Sequence, residues 1–191
     1  MLNEETSVST KMKLRGVFVS SMNTYNEKKN TYVRTQMLNT LLDMLKEQNI
    51  QSIAISDLIE KANVSRVSFY RNYSSKEDIL IQAENRLFSE WKHQYDLADK
   101  ESPQNFTKEL LNYYQDHSDF YQSLYAAGLE SIIINTIIQS ADIKDNDPNT
   151  LAYFKSSIAY MIYGWVHEWM KRGMQETGTV LAAMIEKELK R

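Results

Sequence analysis

The feature that most constrains this chain is its scarcity of turn-forming residues, with only 5 Gly and 2 Pro among 191 residues. Sheets joined by many tight turns need Gly and Pro at special backbone angles, and so do collagen-like chains and flexible linkers. Apolar residues instead recur at helical spacing from residue 31 onward. The sequence therefore predicts an all-α protein.

Periodic apolar segments, with the residues that begin and end them, predict nine helices. Gly128 and Gly173 each follow such a segment and are predicted to end a helix, and the polar segment 142–149 is predicted to be a loop. The predicted helices cover approximately residues 31–48, 55–62, 65–73, 76–99, 103–114, 118–127, 129–140, 150–172 and 179–190.

These helices divide into three regions. Residues 1–30 are polar and without a period, which predicts a mobile N-terminal arm; a basic arm that touches nucleic acid and a disordered leader are both compatible with that composition. Residues 31–78 form a small helical domain, which a long helix joins to a second helical domain over residues 79–191.

Several kinds of chemistry lack the residues that they need. Zero Cys excludes disulfides, thiolate nucleophiles and cysteine-bound metals. The glycine-rich phosphate loops are missing, and His93, His117 and His167 are too far apart in sequence for a zinc-protease motif. No apolar run is long enough for a membrane span or a secretory signal. We therefore expect a cytoplasmic protein with no catalytic site, metal or cofactor.

The most specific pattern lies in residues 53–80. Ile55, Leu58 and Ile59 mark one face of a short helix, and Ser56 is suited to capping its first turn. Asn63 tolerates the left-handed backbone conformation, so it can form a tight corner before the next helix. Two short helices joined by such a corner make a helix-turn-helix.

The stretch Val64-Ser65-Arg66, with Phe69-Tyr70, Tyr73, Ser75-Lys76-Glu77 and Leu80 after it, resembles the recognition helix and following helix of the TetR family of bacterial transcriptional regulators. The motif resemblance covers residues 31–80, and size and helix count extend it to the rest. Asn63 replaces a usual Gly, and Val67 replaces a usual small residue, which puts the choice of bases in doubt. The resemblance implies an N-terminal helix-turn-helix domain and a C-terminal effector-binding and dimerisation domain.

A recognition helix reads base edges in the major groove, while other side chains contact phosphates. Arg66 is suited to reading guanine, Val67 to a thymine methyl, and Lys76 to a phosphate at a helix N-terminus. Residues 1–78 carry 11 Lys and Arg against 9 Asp and Glu, whereas residues 79–191 carry 11 against 16, which weakly favours DNA binding by the first part. The candidate DNA-binding residues are Ser56, Ser65, Arg66, Val67, Ser68, Tyr70, Arg71 and Lys76.

The second domain is rich in aromatic residues, and the resemblance implies that some of them line a small-molecule pocket. For any single one of these residues, ordinary core packing is the preferred explanation. The candidate pocket residues are Tyr95, Tyr113, Tyr121 and His167.

The last two helices carry more apolar residues than one buried face needs, which predicts a partner. The resemblance implies a homodimer, and a two-fold dimer requires a palindromic operator in double-stranded DNA. The candidate interface residues are Ile158, Met161, Ile162, Trp165, Trp169, Val180, Met184 and Ile185.

These observations favour a dimeric, sequence-specific transcriptional regulator, with repression relieved by a small-molecule effector as the family's usual mode. An activator, a regulator controlled by a protein partner, and a helical adaptor without DNA binding are the alternatives.

Overall fold

The computed structural model describes residues 30–97 and 103–190. Within these residues the chain is helical with no strand, which confirms the predicted all-α class. The predicted arm falls almost entirely outside the described residues. The helices are α1 (30–45), α2 (Ile55–Lys61), α3 (Arg66–Asn72), α4 (Lys76–Leu97), α5 (Pro103–Asp116), α6 (Ser118–Ala126), α7 (Ser131–Ser140), α8 (Asn149–Lys171) and α9 (Gly178–Leu189), with a 3-10 turn at Ile50–Ser52.

Helices α1, α2 and α3 and the start of α4 form a small helical unit, which we call the head. Met37, Leu41, Leu58 and Phe69 are fully buried in it. Asn63 adopts a φ of 51° between α2 and α3, so the predicted left-handed corner is confirmed. The head therefore has the geometry of a helix-turn-helix, with α3 as its second helix.

The caps of the head helices differ in one respect from expectation. Ser65 caps α3, because its Oγ accepts a hydrogen bond from the backbone N–H of Ser68. Ser56 does not cap α2: the N-cap position is Ala54, which makes no side-chain bond, and Ser56 donates instead to Asp57 Oδ1. Ser56 is the second residue of α2, so it lies inside the first turn and not at the N-cap position.

The remaining helices, which we call the body, pack in pairs. Helix α5 lies along α9, while α7 lies against α8 and α4, and α6 against α8. Gly178 begins α9 so close to α5 that an added Cβ would lie 2.6 Å from the backbone nitrogen of Asn112. Gly128 and Gly173 have φ values of 68° and 78°, and each follows a helix that it was predicted to end.

Within the described parts of the chain, none of the helices combines the length and the apolarity that a bilayer span requires. The same residues contain no cluster of three or more His, Cys, Asp or Glu side chains that could hold a metal ion.

Candidate nucleic-acid interface and interior polar cluster

The outer face of α3 is exposed. The side chains of Arg66, Val67 and Arg71 make no hydrogen bond or ion pair with another described residue. Tyr70 is 55% exposed, and its ring makes a T-shaped contact with the ring of Phe69, with centroids 5.0 Å apart. Phe69 and Tyr73 are buried and anchor the inner face of α3 in the core, whereas the outer face remains exposed to solvent.

Two serines on this helix are bonded to each other. Ser65 Oγ donates to Ser68 Oγ at 2.9 Å while it accepts from the Ser68 backbone N–H. The Ser65 hydroxyl thus donates one hydrogen bond and accepts another within the chain, and both bonds stabilise the first turn of α3. Ser68 keeps its own hydroxyl proton, so it can still donate to an acceptor outside the chain.

Lys76 has partners that the sequence did not reveal. Its Nζ donates to the main-chain carbonyls of Ile53 at 2.7 Å and Gln51 at 3.3 Å. These bonds tie the first turn of α4 to the segment that leads into α2. An ammonium has three N–H donors, so one remains for a phosphate. Ser75 Oγ accepts a hydrogen bond from the Asp78 backbone N–H and caps this end of α4.

Inside the body, a buried carboxyl joins α4 to α5 and α6. Glu84 is fully buried on α4, and its Oε2 accepts a 2.7 Å hydrogen bond from Tyr121 Oη on α6. Tyr113 on α5 is hydrogen-bonded in turn to the Tyr121 hydroxyl. Glu84 Oε1 and the hydroxyl of Tyr114 are buried, and neither has a hydrogen-bond partner among the described residues. We call Glu84, Tyr113, Tyr114 and Tyr121 the carboxyl–tyrosine cluster.

Burial controls the ionisation of this cluster. Loss of hydration raises the pKa of Glu84 to about 7, against the lowering effect of the hydrogen bond from Tyr121. Burial and the nearby Glu84 also raise the pKa values of the three tyrosines, so all of them stay protonated donors.

The structure brings together three of the four predicted pocket residues. Tyr113 and Tyr121 are bonded to each other, and Tyr95 connects to them by stacking on Trp91, whose ring centroid lies 5.5 Å from that of Tyr113. His167 lies apart, in contact with Tyr125 and Tyr163.

Sequence reasoning missed Glu84, although a signal was present. The buried face of α4 runs through Leu80, Ala83 and Phe88, and Glu84 occupies a position that the helical period assigns to that face. An acidic residue on the apolar stripe of a linking helix is the pattern that would have identified it.

Comparison with known proteins gives the family. Residues 38–83 match the family model described as bacterial regulatory proteins, tetR family, and residues 101–191 match a TetR-type model described as a transcriptional regulator C-terminal region. The chain belongs to the TetR family. The resemblance inferred from residues 64–80 is therefore confirmed, and the chain has the fold of a DNA-binding transcriptional regulator.

Three solved structures are similar to this chain, and the first of them shares its overall fold. The protein Lin0861 from Listeria innocua matches with a TM-score of 0.70 at 19% identity, over 85% of this chain and 91% of that one. The fatty acid degradation regulator FadR from Bacillus halodurans matches at 0.48 and 15% identity, over 80% and 95% of the two chains. A gamma-butyrolactone receptor, ArpA-like, matches at 0.40 and 12% identity, over 84% and 98%. No protein among the curated sequences matches.

The candidate interface residues of this TetR-family chain fall into three groups. Met161, Val180 and Met184 are exposed, and Trp169 is buried in the core. Trp169 was therefore wrongly counted as surplus apolar surface, because its face of α8 is turned towards the body. The half-buried ones are Ile158, Ile162, Trp165 and Ile185.

Helix α8 also exposes aromatic residues that were not singled out. Tyr153, Phe154 and Tyr160 are 69%, 63% and 58% exposed, and a Cβ added at Gly164 would meet no atom within 4 Å. Positions 153, 160 and 164 lie on one side of the helix at its 3.6-residue period. Together with Met161 they form an apolar surface, which we call the α8 face.

Proposed function

We propose that this chain is a cytoplasmic, homodimeric repressor that binds a palindromic operator through α3 and is released from it by a small-molecule effector. The observation that carries the DNA-binding part is the outer face of α3, whose Arg66, Val67 and Arg71 are exposed with no hydrogen bond or ion pair to the described residues. Readout of base edges in the major groove requires exposed side chains on a helix that the core holds in place.

Each side chain has a proposed role by its chemistry. Arg66 presents two parallel donors that fit guanine, Val67 packs on a thymine methyl, and Ser68 and Arg71 donate to bases or phosphates. Tyr70 Oη and the remaining N–H of Lys76 contact phosphates, and they position the helix without reading sequence. Ser65 contributes by stabilising the first turn of α3. Ser56 is exposed on α2, and its proposed role is a contact with the DNA backbone.

The α8 face supports the homodimer. Monomeric proteins rarely expose contiguous apolar surface on this scale, and such surface marks an interaction site. Gly164 in the same stripe lets a partner helix approach closely, because no side chain intervenes. Val180 and Met184 on α9 are exposed apolar residues as well, and a two-fold axis at the α8 face gives one recognition helix to each half-site.

The effector part rests on the carboxyl–tyrosine cluster. It connects α4, whose first turn is bonded to the head through Lys76, with α5 and α6 of the body. A ligand that rearranges this cluster moves α4, and α4 sets the separation of the two heads. Operator affinity then falls in proportion to the ligand's preference for the rearranged state.

Fluorescence anisotropy tests the DNA-binding part, with a duplex from the region upstream of the gene that encodes this protein and an unrelated duplex as the reference. Arg66→Ala should weaken operator binding by about 5- to 150-fold and reduce the preference over the unrelated duplex. Tyr70→Phe should weaken binding to both duplexes by the same factor, since a phosphate contact carries no sequence information. Arg172→Ala, at an exposed arginine directly after α8, is the control and should change neither.

Equal binding of both duplexes by the wild type at every salt concentration, with no effect of Arg66→Ala, would contradict the DNA-binding proposal and favour an adaptor. The dimer is tested separately by light scattering after size exclusion. Tyr160→Glu should give monomers, whereas Tyr32→Glu, at a tyrosine of similar exposure on α1, should leave the dimer intact. A monomeric wild type would refute the dimer.

A further inference from the structure

A buried carboxyl without a compensating charge lies where three helices of the body meet. Glu84 on α4 is fully buried. Its Oε2 accepts one hydrogen bond, from Tyr121 on α6, and its Oε1 has no hydrogen-bond partner among the described residues. Glu84 forms no ion pair with any of those residues either. One hydrogen bond does not replace the hydration that a carboxylate loses here, so this packing accommodates the neutral acid.

The groups that face Glu84 are apolar side chains and neutral hydroxyls. Helix α5 contributes Tyr113 and Tyr114, whose ionisation a charge on Glu84 opposes, and α6 contributes Tyr121. Helix α7, which packs on α4, carries no titratable side chain. The positions one turn away on α4 are all apolar: Leu80, Ile81, Leu87 and Phe88. Burial in these surroundings raises the pKa of Glu84 to about 7, so its proton is lost near neutral pH.

Helix α4 connects this carboxyl to the head. Glu84 follows Lys76 by eight residues, which is about two helical turns. Lys76 Nζ donates to the carbonyls of Ile53 and Gln51, in the segment that leads into α2. Because α4 is continuous between these two points, a displacement of the helix at Glu84 also displaces Lys76 and the segment bonded to it.

We propose that Glu84 is a proton switch: the protonated carboxyl keeps α4 in the arrangement that binds the operator, and loss of the proton to solvent releases the operator. The anion needs further donors, and the cluster offers one, the hydroxyl of Tyr114 on α5, which is buried and has no hydrogen-bond partner among the described residues. Bringing that hydroxyl or water to Oε1 requires α4 to move relative to α5. The inference deepens the proposed function, on which it rests, by naming the proton as a regulator that acts at the carboxyl–tyrosine cluster.

Carbon-13 NMR on the full chain without DNA, labelled at the glutamate side-chain carboxyls, measures the ionisation. The resonance that is missing in Glu84→Gln belongs to Glu84, and we expect its titration midpoint near pH 7. Tyr121→Phe removes the hydrogen bond that favours the anion, so it should move this midpoint to higher pH. A Glu84 midpoint within about one unit of the ordinary value of 4.5, or a shift to lower pH in Tyr121→Phe, would overturn the proposal.

Fluorescence anisotropy with the upstream duplex at pH 6 and pH 8, at constant ionic strength, measures the regulation. With a pKa of about 7, the protonated fraction of Glu84 falls about tenfold over this interval, so the wild type should lose about tenfold in operator affinity relative to Glu84→Gln. The Gln side chain is uncharged and can still accept the hydrogen bond from Tyr121, so this variant should keep the operator at pH 8. Glu109→Gln, at an exposed carboxyl on α5, is the control and should follow the wild type.

Histidine side chains ionise in the same pH range, but all three are present in both proteins, so the difference between the proteins reports on Glu84. An equal pH dependence in the wild type and Glu84→Gln would overturn the switch. If Glu84→Gln does not fold, Tyr121→Phe decides: it should lose operator affinity at a higher pH than the wild type, and an unchanged pH would refute the switch.

The two proposals can fail separately. The NMR titration contains no DNA, so a Glu84 that stays ionised near pH 7 refutes the switch and leaves operator binding to its own test. Absence of operator binding at every pH, in the wild type and in Glu84→Gln, would refute the DNA-binding proposal and the switch with it.

Discussion

Replacing Glu84 by Gln should change how the stability of this protein depends on pH. In the folded state burial raises the pKa of Glu84 from 4.5 to about 7. The folded protein therefore holds a proton that the unfolded chain loses between these two values, so stability falls as the pH rises from 4.5 to 7. Each pKa unit corresponds to 1.36 kcal/mol, which gives a loss of about 3 kcal/mol across the whole interval.

Urea denaturation at pH 5 and pH 8, at one protein concentration, measures this effect. From the two pKa values, we expect the wild type to lose about 2 to 3 kcal/mol more than Glu84→Gln between these pH values. Glu90→Gln, an exposed carboxyl on the same helix, is the control and should follow the wild type. Parallel pH dependences of the wild type and Glu84→Gln would show that the carboxyl ionises in the folded state as it does in water, and would refute the argument from burial.

Three further substitutions test other contacts. Gly178→Ala places a Cβ 2.6 Å from the Asn112 backbone nitrogen, so it should destabilise the protein by about 1 to 3 kcal/mol, seen as a lower Tm; an unchanged Tm would mean that α9 does not approach α5 this closely. Asn63→Ala should cost about 1 kcal/mol in urea denaturation because of its φ of 51°, whereas Asn63→Gly should stay near the wild type; equal losses would argue against the left-handed corner. Lys76→Met removes the hydrogen bond to the Ile53 carbonyl, so it should lower the free energy of unfolding by about 1 to 3 kcal/mol and also weaken DNA binding. An unchanged free energy of unfolding would mean that Lys76 acts only as a phosphate contact.

Local features were predictable because they depend on neighbours in the sequence. The corner at Asn63 and the caps at Ser65 and Ser75 follow from the conformational and hydrogen-bonding preferences of single residues. Helix types followed from the period of the apolar residues. Helix ends shifted by a few residues, as at α7, which begins at Ser131 and not at 129, because the terminal turns of a helix respond to packing as well as to sequence.

Contacts between distant segments were not predictable in the same way. Lys76 reaches carbonyls 23 and 25 residues away, and nothing near it in the sequence indicates that partner. The burial of Trp169 depends on which side of α8 faces the body, and both sides of that helix carry apolar residues. Pairing of Tyr113 with Tyr121 required the relative placement of α5 and α6, which periodicity does not determine.

The separation between the two faces of α3 has an evolutionary consequence. Phe69 and Tyr73 hold the helix, and the exposed Arg66, Val67 and Arg71 make no hydrogen bond or ion pair to the rest of the described chain. Substitutions at these three positions are therefore nearly neutral for folding, since exposed sites of this kind change stability by no more than about 0.5 kcal/mol. A gene duplicate could acquire a new set of target promoters by exchanging them, while the rest of the molecule stayed under its former selection.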